Sequence, residues 1–166
     1  MLSWNLIHCN GETYPGVFNL LLRDDLAQLK KSNGWSHGLD WSIFLKKNQE
    51  YIAYKLHIVG DNLIQGLIAI AIRKGYVELA LAEKAARNRK PTHEFKNVGE
   101  VLFAQACLFS LENNGDGYVL LRAKTGLMDH YVHHYGMEVI NKKQRLLAIP
   151  PVEATRLIEL YYKQGS

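Results

Sequence analysis

Apolar and polar positions alternate most clearly in the middle of the chain. Tyr51–Val59 (YIAYKLHIV), Leu63–Arg73 (LIQGLIAIAIR) and Tyr76–Glu83 (YVELALAE) read as strands. GDN between the first two is a hairpin signal, and Lys74–Gly75 closes the second turn. Three strands joined this way make an antiparallel meander. The period then lengthens. In Val98–Asn114 the positions Val98, Val101, Leu102, Leu108 and Phe109 keep helical spacing. Phe103, Ala106, Cys107 and Leu111 widen that stripe, as expected for a helix lying on a sheet. ENNGDG stops it, and Tyr118–Lys124 reads as the next strand. A helix joining two neighbouring strands makes them parallel through a right-handed crossover.

The flanks are less regular. Ser3–Cys9 reads as a short strand, NGETYPG as a turn and Val17–Leu29 as a helix. A polar break, KKSNGWSHGLD, precedes a second short helix near Trp41–Lys47. Trp35 and Trp41 either line a cleft or cover the core edge. Leu127–Tyr135 is a short helix ended by Gly136, Met137–Ile140 and Arg145–Ile149 are short strands, and Val152–Tyr162 is a last amphipathic helix. The pattern predicts an α/β fold with one twisted mixed sheet flanked by helices.

Composition narrows the classes. A chain of 166 residues, 48% apolar and 22% charged, is expected to form one domain, residues 1–166, with a real core. A net charge of +4 suits a phosphate-bearing ligand without requiring one. The basic residues are scattered, with clusters only at Arg87–Lys90 and the lysine pairs from Lys30, Lys46 and Lys142. That is thin for nucleic acid. Cys9 and Cys107 form no CxxC, and Cys107 lies in the helix pattern as a buried free thiol. The N-terminus lacks a signal-peptide pattern, and no apolar run is long enough for a bilayer, so a cytoplasmic address is the expectation.

The candidate chemistry gathers between Tyr76 and Leu121. A helix that starts just after a strand and a basic loop can hold an anion on its free amides. Val98, Gly99 and Glu100 would present N–H groups to a pyrophosphate, Gly99 without a side chain in the way. Lys96, with Arg87 or Arg89, would add charge. The same residues also read as a capping box, with Asn97 as N-cap and Glu100 reaching back. On the preceding strand, Val77, Leu79, Leu81 and Glu83 share one face. Partial burial there would raise the basicity of Glu83. Glu78, on the opposite face, is the alternative, and an ion pair with Lys84 or Arg87 is the plainer reading. His130, His133 and His134 share a helix face but lack the glutamate of HExxH, so no metal is expected.

This order of elements, from about Tyr51 to Ile149, resembles the GNAT N-acetyltransferase fold. The family's Gln/Arg-x-x-Gly-x-Gly/Ala signature aligns with Glu94-Phe-Lys-Asn-Val-Gly99. Gly99 and Leu102 fit it. Asn97 stands where the first glycine is usual, and Glu94 where Gln or Arg is usual. HYVHHYGME (His130–Glu138) resembles the family's tyrosine-bearing helix before a Gly-aromatic pair, with Met137 in the aromatic's place.

The resemblance implies acetyl transfer from acetyl-CoA to a primary amine of a small molecule or protein. It implies cosubstrate contacts at Leu81, Ala82, Lys96, Asn97, Val98, Gly99 and Glu100. A backbone N–H near Leu81–Ala82 would polarise the thioester carbonyl. Glu83 would be the base and Tyr131 the acid, with Tyr135 as the alternative. A GNAT-fold module that binds a protein or nucleic acid without catalysis is the competing expectation. Self-association as a homodimer through the C-terminal strand or helix stays open.

Overall fold

The computed structural model describes residues 2–35 and 40–164; Ser36–Leu39, within the polar break read from the sequence, lie outside them. The strands are β1 (Leu2–Ile7), β2 (Thr13–Leu20), β3 (Ile52–Ile58), β4 (Ile64–Arg73), β5 (Tyr76–Lys84), β6 (Val119–Arg122), β7 (Glu138–Asn141), β8 (Leu146–Ile149) and β9 (Tyr162–Gln164). The helices are α1 (Val98–Glu112), α2 (Met128–Tyr135) and α3 (Pro151–Tyr161). Hydrogen-bonded strand order is β7-β8-β6-β5-β4-β3-β2-β1-β9. The sheet is mixed: β5 and β6 pair parallel, while β9–β1, β1–β2, β2–β3, β6–β8 and β8–β7 pair antiparallel.

Contacts sort the chain into two compact units. Met1–Ala69, Leu81–Leu102 and Tyr161–Ser166 form the first; Ile70–Ala80 and Phe103–Leu160 form the second. In the first unit Trp4, Leu6, Leu56, Ile64, Leu67 and Ile68 make the core. Gly16 sits on β2 between Trp4 of β1 and Ile58 of β3, where any Cβ would press on Leu6 and Leu56. In the second unit Val77, Val119, Leu121, Leu147, Ile149 and Leu157 are buried. Ala104, Gln105, Ala106 and Cys107 are all buried in succession, so α1 is covered on every side there.

Several expectations change. Val17–Leu29 is not a helix: β2 occupies Thr13–Leu20, and Arg23–Gln28 is a short 3-10 helix. The apolar spacing was compatible with a helix, but β1 pairs with Thr13–Gly16 and β3 with Gly16–Leu20, and pairing overrides the local period. Asp25 fixes the 3-10 turn by accepting from Leu22 N–H at 2.7 Å and pairing with Lys55 Nζ at 2.7 Å. The last helix ends at Tyr161, and the chain continues as β9 against β1. Trp41–Leu45 is 3-10 rather than α-helical, capped by Asp40, and Trp35 and Trp41 are both buried in the core.

Candidate functional site

The site's floor is β4, where Gly66 leaves room for a helix. A Cβ there would lie 3.0 Å from Val98 and 3.1 Å from Leu102. The first turn of α1 therefore seats directly on the strand. The segment entering α1 is zipped to the end of β1. Cys9 N–H donates to Glu94 O at 2.8 Å, Lys96 N–H donates to Ile7 O at 2.8 Å, and His8 bridges Phe95. Asn88 braces the same segment. Its Oδ1 accepts from Phe95 N–H at 3.0 Å, and its Nδ2 donates to Gln65 O and Oε1.

Asn97 makes the last clamp. Its Oδ1 accepts from Ile7 N–H at 2.9 Å and its Nδ2 donates to Asn5 O at 2.8 Å. The side chain that would cap α1 thus also ties the helix entry to β1. The helical ladder begins with Val101 N–H to Asn97 O at 3.0 Å. The amides of Val98, Gly99 and Glu100 lie ahead of it, on the positive end of the helix. Val98 is buried, Gly99 and Glu100 are half-buried and Lys96 is exposed. One carboxylate, Glu100, stands in that first turn and competes with an incoming anion.

On β5 the shared face read from the sequence is present: Val77, Leu79 and Glu83 are buried and Leu81 is half-buried. Glu83 is 4% exposed. Its Oε1 accepts from the indole Nε1 of Trp41 at 2.8 Å, and its Oε2 pairs with Arg89 Nη2 at 3.0 Å. Arg89 is itself held, donating from Nε and Nη2 to Lys84 O. The plainer reading named Lys84 or Arg87 as the ion partner, and the partner is Arg89. Arg87 points elsewhere: it donates to Ile64 O and lies 3.9 Å from Glu94. Glu78 is half-buried and paired with Arg73 at 2.9 Å. The β5–β6 register comprises Val77↔Val119, Glu78↔Leu120 and Leu79↔Leu121, whereas β5 itself runs on through Leu81 and Ala82 to Lys84.

The tyrosines belong to the second unit. Tyr131 and Tyr135 both pack edge-on against Phe103 of α1, with centroids 5.5 and 4.9 Å apart. Tyr135 is buried as a core residue, whereas Tyr131 is half-buried. Burial pushes the Tyr131 phenol above its ordinary value of 10.0. His130 and His134 stack with centroids 5.1 Å apart, and no group of metal-holding residues occurs among the described residues. Sequence reasoning missed Trp41 as Glu83's partner and Asn88 as the loop brace. Only a buried-carboxylate argument asking for a donor could have pointed to Trp41.

No protein-family model and no curated protein matches the chain. Solved structures do. A putative acetyltransferase of the GNAT family from Desulfovibrio desulfuricans aligns with a TM-score of 0.56 at 10% identity, over 81% of this chain and 95% of that one. The AtaTR complex bound with acetyl-CoA aligns with a TM-score of 0.55 at 13% identity, over 86% and 98%. A KacTA–DNA complex aligns at 0.55 and 16% identity, over 87% and 98%. The chain has the GNAT acetyltransferase fold. No helix among the described residues is long and apolar enough to cross a membrane.

Proposed function

We propose that the protein transfers an acetyl group from acetyl-CoA to the primary amine of a small-molecule or protein acceptor. The observation that carries this reading is the rigid entry to α1. Three amides precede the helical ladder, Gly99 leaves them approachable, and Lys96 is exposed beside them. Such an end binds a pyrophosphate through backbone donors and dipole. The pinned loop presents those donors already ordered, which lowers the cost of binding. Glu100 fits this reading when its carboxylate turns aside from the helix axis.

Within this reading, a backbone N–H of β5 near Leu81–Ala82, beyond the residues registered with β6, polarises the thioester carbonyl. The acceptor amine attacks that carbon, the C–S bond breaks, and Tyr131 gives its phenolic proton to the departing sulfur. Burial keeps Tyr131 protonated through neutral pH, as an acid requires. Glu83 is the carboxylate assigned to the amine. Its oxygens accept from Trp41 and Arg89, which supports a role in holding the ammonium group in place.

The engagement of Glu83 also favours a second reading, a GNAT-fold module that binds a partner without catalysis. Melting the protein with and without acetyl-CoA separates them. At 100 times Kd a ligand stabilises by about 2.7 kcal/mol, a rise of roughly 5–11 °C for a chain of this size. No rise at millimolar acetyl-CoA removes the transferase reading.

A further inference from the structure

A pocket opens where β2 ends and β3 begins, within the first unit. It encloses about 250 Å³. Its floor is apolar, with Leu21, Phe44 and Ala53 buried there. Neither α1 nor β5 lines it, so it stands apart from Glu83 and from the amides at residues 98–100.

The walls are held from several directions. Leu21 N–H donates to Ala53 O at 2.9 Å and ties the two strand ends together. Asp25 accepts from Leu22 N–H at 2.7 Å and is itself anchored by Lys55. Gln49 staples the turn that follows residue 45. Its Nε2 donates to Ile43 O at 2.9 Å, and its Oε1 accepts from Tyr51 N–H at 3.4 Å. Phe44 packs against Trp41 and Tyr51, with centroids 5.4 and 6.3 Å away. A hollow braced in this way is formed before any ligand arrives, as sites for small molecules are.

Shape and charge say what fits. Leu20, Leu22 and Ile52 line the pocket yet stay 54%, 58% and 44% exposed. Single exposed leucines are ordinary, but these three surround one apolar hollow, and an apolar body would shield them from water. Lys46 is the one charged side chain among the described residues that line the pocket. Asp40 is the acid that feels its charge, and Asp40 is turned to Ser42, accepting from its N–H at 3.0 Å and from its hydroxyl. Size narrows the ligand further. A dry cavity of about 150 Å³ takes benzene, and sites for drug-sized molecules span about 300–1,000 Å³. The occupant lies between those limits, a single short chain rather than a peptide segment.

We propose that this pocket binds a small amphiphilic monoanion, a medium-chain carboxylate. Its alkyl body lies on Leu21, Phe44 and Ala53, and its carboxylate meets Lys46 at the mouth. The proposal does not depend on acetyl transfer: a chain that fails to bind acetyl-CoA still binds the carboxylate.

The test is isothermal titration with octanoate and with octanamide, its uncharged counterpart. Octanoate should bind saturably. An exposed ion pair adds up to about fivefold in affinity, so octanamide should bind roughly fivefold more weakly. Lys46→Gln should bring octanoate down to the octanamide value and leave octanamide unchanged. Leu22→Glu sets a negative charge at the mouth, on a side chain already in solvent. The fold should hold, by melting temperature, and octanoate binding should be lost. Saturating acetyl-CoA should leave the octanoate Kd unchanged. No saturable heat at millimolar octanoate, equal affinity for acid and amide, or a folded Leu22→Glu variant that binds octanoate as wild type does overturns the proposal. So does displacement of octanoate by acetyl-CoA, which would put the acid in the cosubstrate's place.

Discussion

At the scale of single residues, Glu83 and Tyr131 make separable predictions. Glu83→Gln keeps the shape but loses the charge that faces Arg89, whose side chain is 37% exposed. Solvent screening at that exposure leaves a loss of about 1–2 kcal/mol, or roughly 2–8 °C in melting temperature. If Glu83 only anchors Trp41 and the amine, the variant melts earlier but keeps the ascending limb of the pH–rate profile. If it is the base, that limb flattens and the rate falls about 100-fold. The double engagement of the carboxylate makes the anchored outcome the expected one, read by acetyl-CoA consumption against a panel of primary amines. Tyr131→Phe removes only the phenol and should lower kcat about 100-fold with little change in melting. The sign of the pH effect follows from burial: the raised pKa keeps the acid loaded through neutral pH, and activity is lost only as pH climbs past the ordinary tyrosine value. A Tyr131→Phe enzyme at wild-type rate would pass the acid role elsewhere.

At the scale of elements, the entry to α1 hangs on one side chain. Asn97→Ala leaves Ile7 N–H and Asn5 C=O without their partner. A buried group left unsatisfied costs about 1–3 kcal/mol, so melting should fall by several degrees. The same variant loosens the amides of Val98–Glu100, so acetyl-CoA should stabilise it less than wild type in paired melts. Equal stabilisation of both proteins would separate the clamp from the anion site. These elements differ in how plainly the sequence announced them. The β3–β4–β5 meander was legible because its turns are short and its partners adjacent. So was the shared face of Val77, Leu79 and Glu83, since alternation is local. β2 was not, because its apolar spacing also fits a helix and only its two neighbours decide. Asn97's partners lie about 90 residues away in the chain. Trp41 is 42 residues from the carboxylate it serves. No local pattern carries such pairings.

At the scale of the molecule, the division into two units raises the question of whether they unfold together. Three elements contribute to both: β4 is shared at Ala69/Ile70, β5 at Ala80/Leu81 and α1 at Leu102/Phe103. A helix or strand cannot lose half its length without fraying the rest, because its hydrogen bonds form cooperatively. One transition is therefore expected. The chain carries its own pair of reporters. Trp4, Trp35 and Trp41, all the tryptophans, lie in the first unit, and each is buried. Cys107 lies in the second unit, fully buried on α1. Its thiol, pushed up to about 12, becomes reactive only when the helix opens. In a Cys9→Ser background, tryptophan fluorescence and Cys107 labelling followed against urea should share one midpoint. Labelling that precedes the fluorescence change would mean the second unit opens alone, and the shared elements do not couple the two.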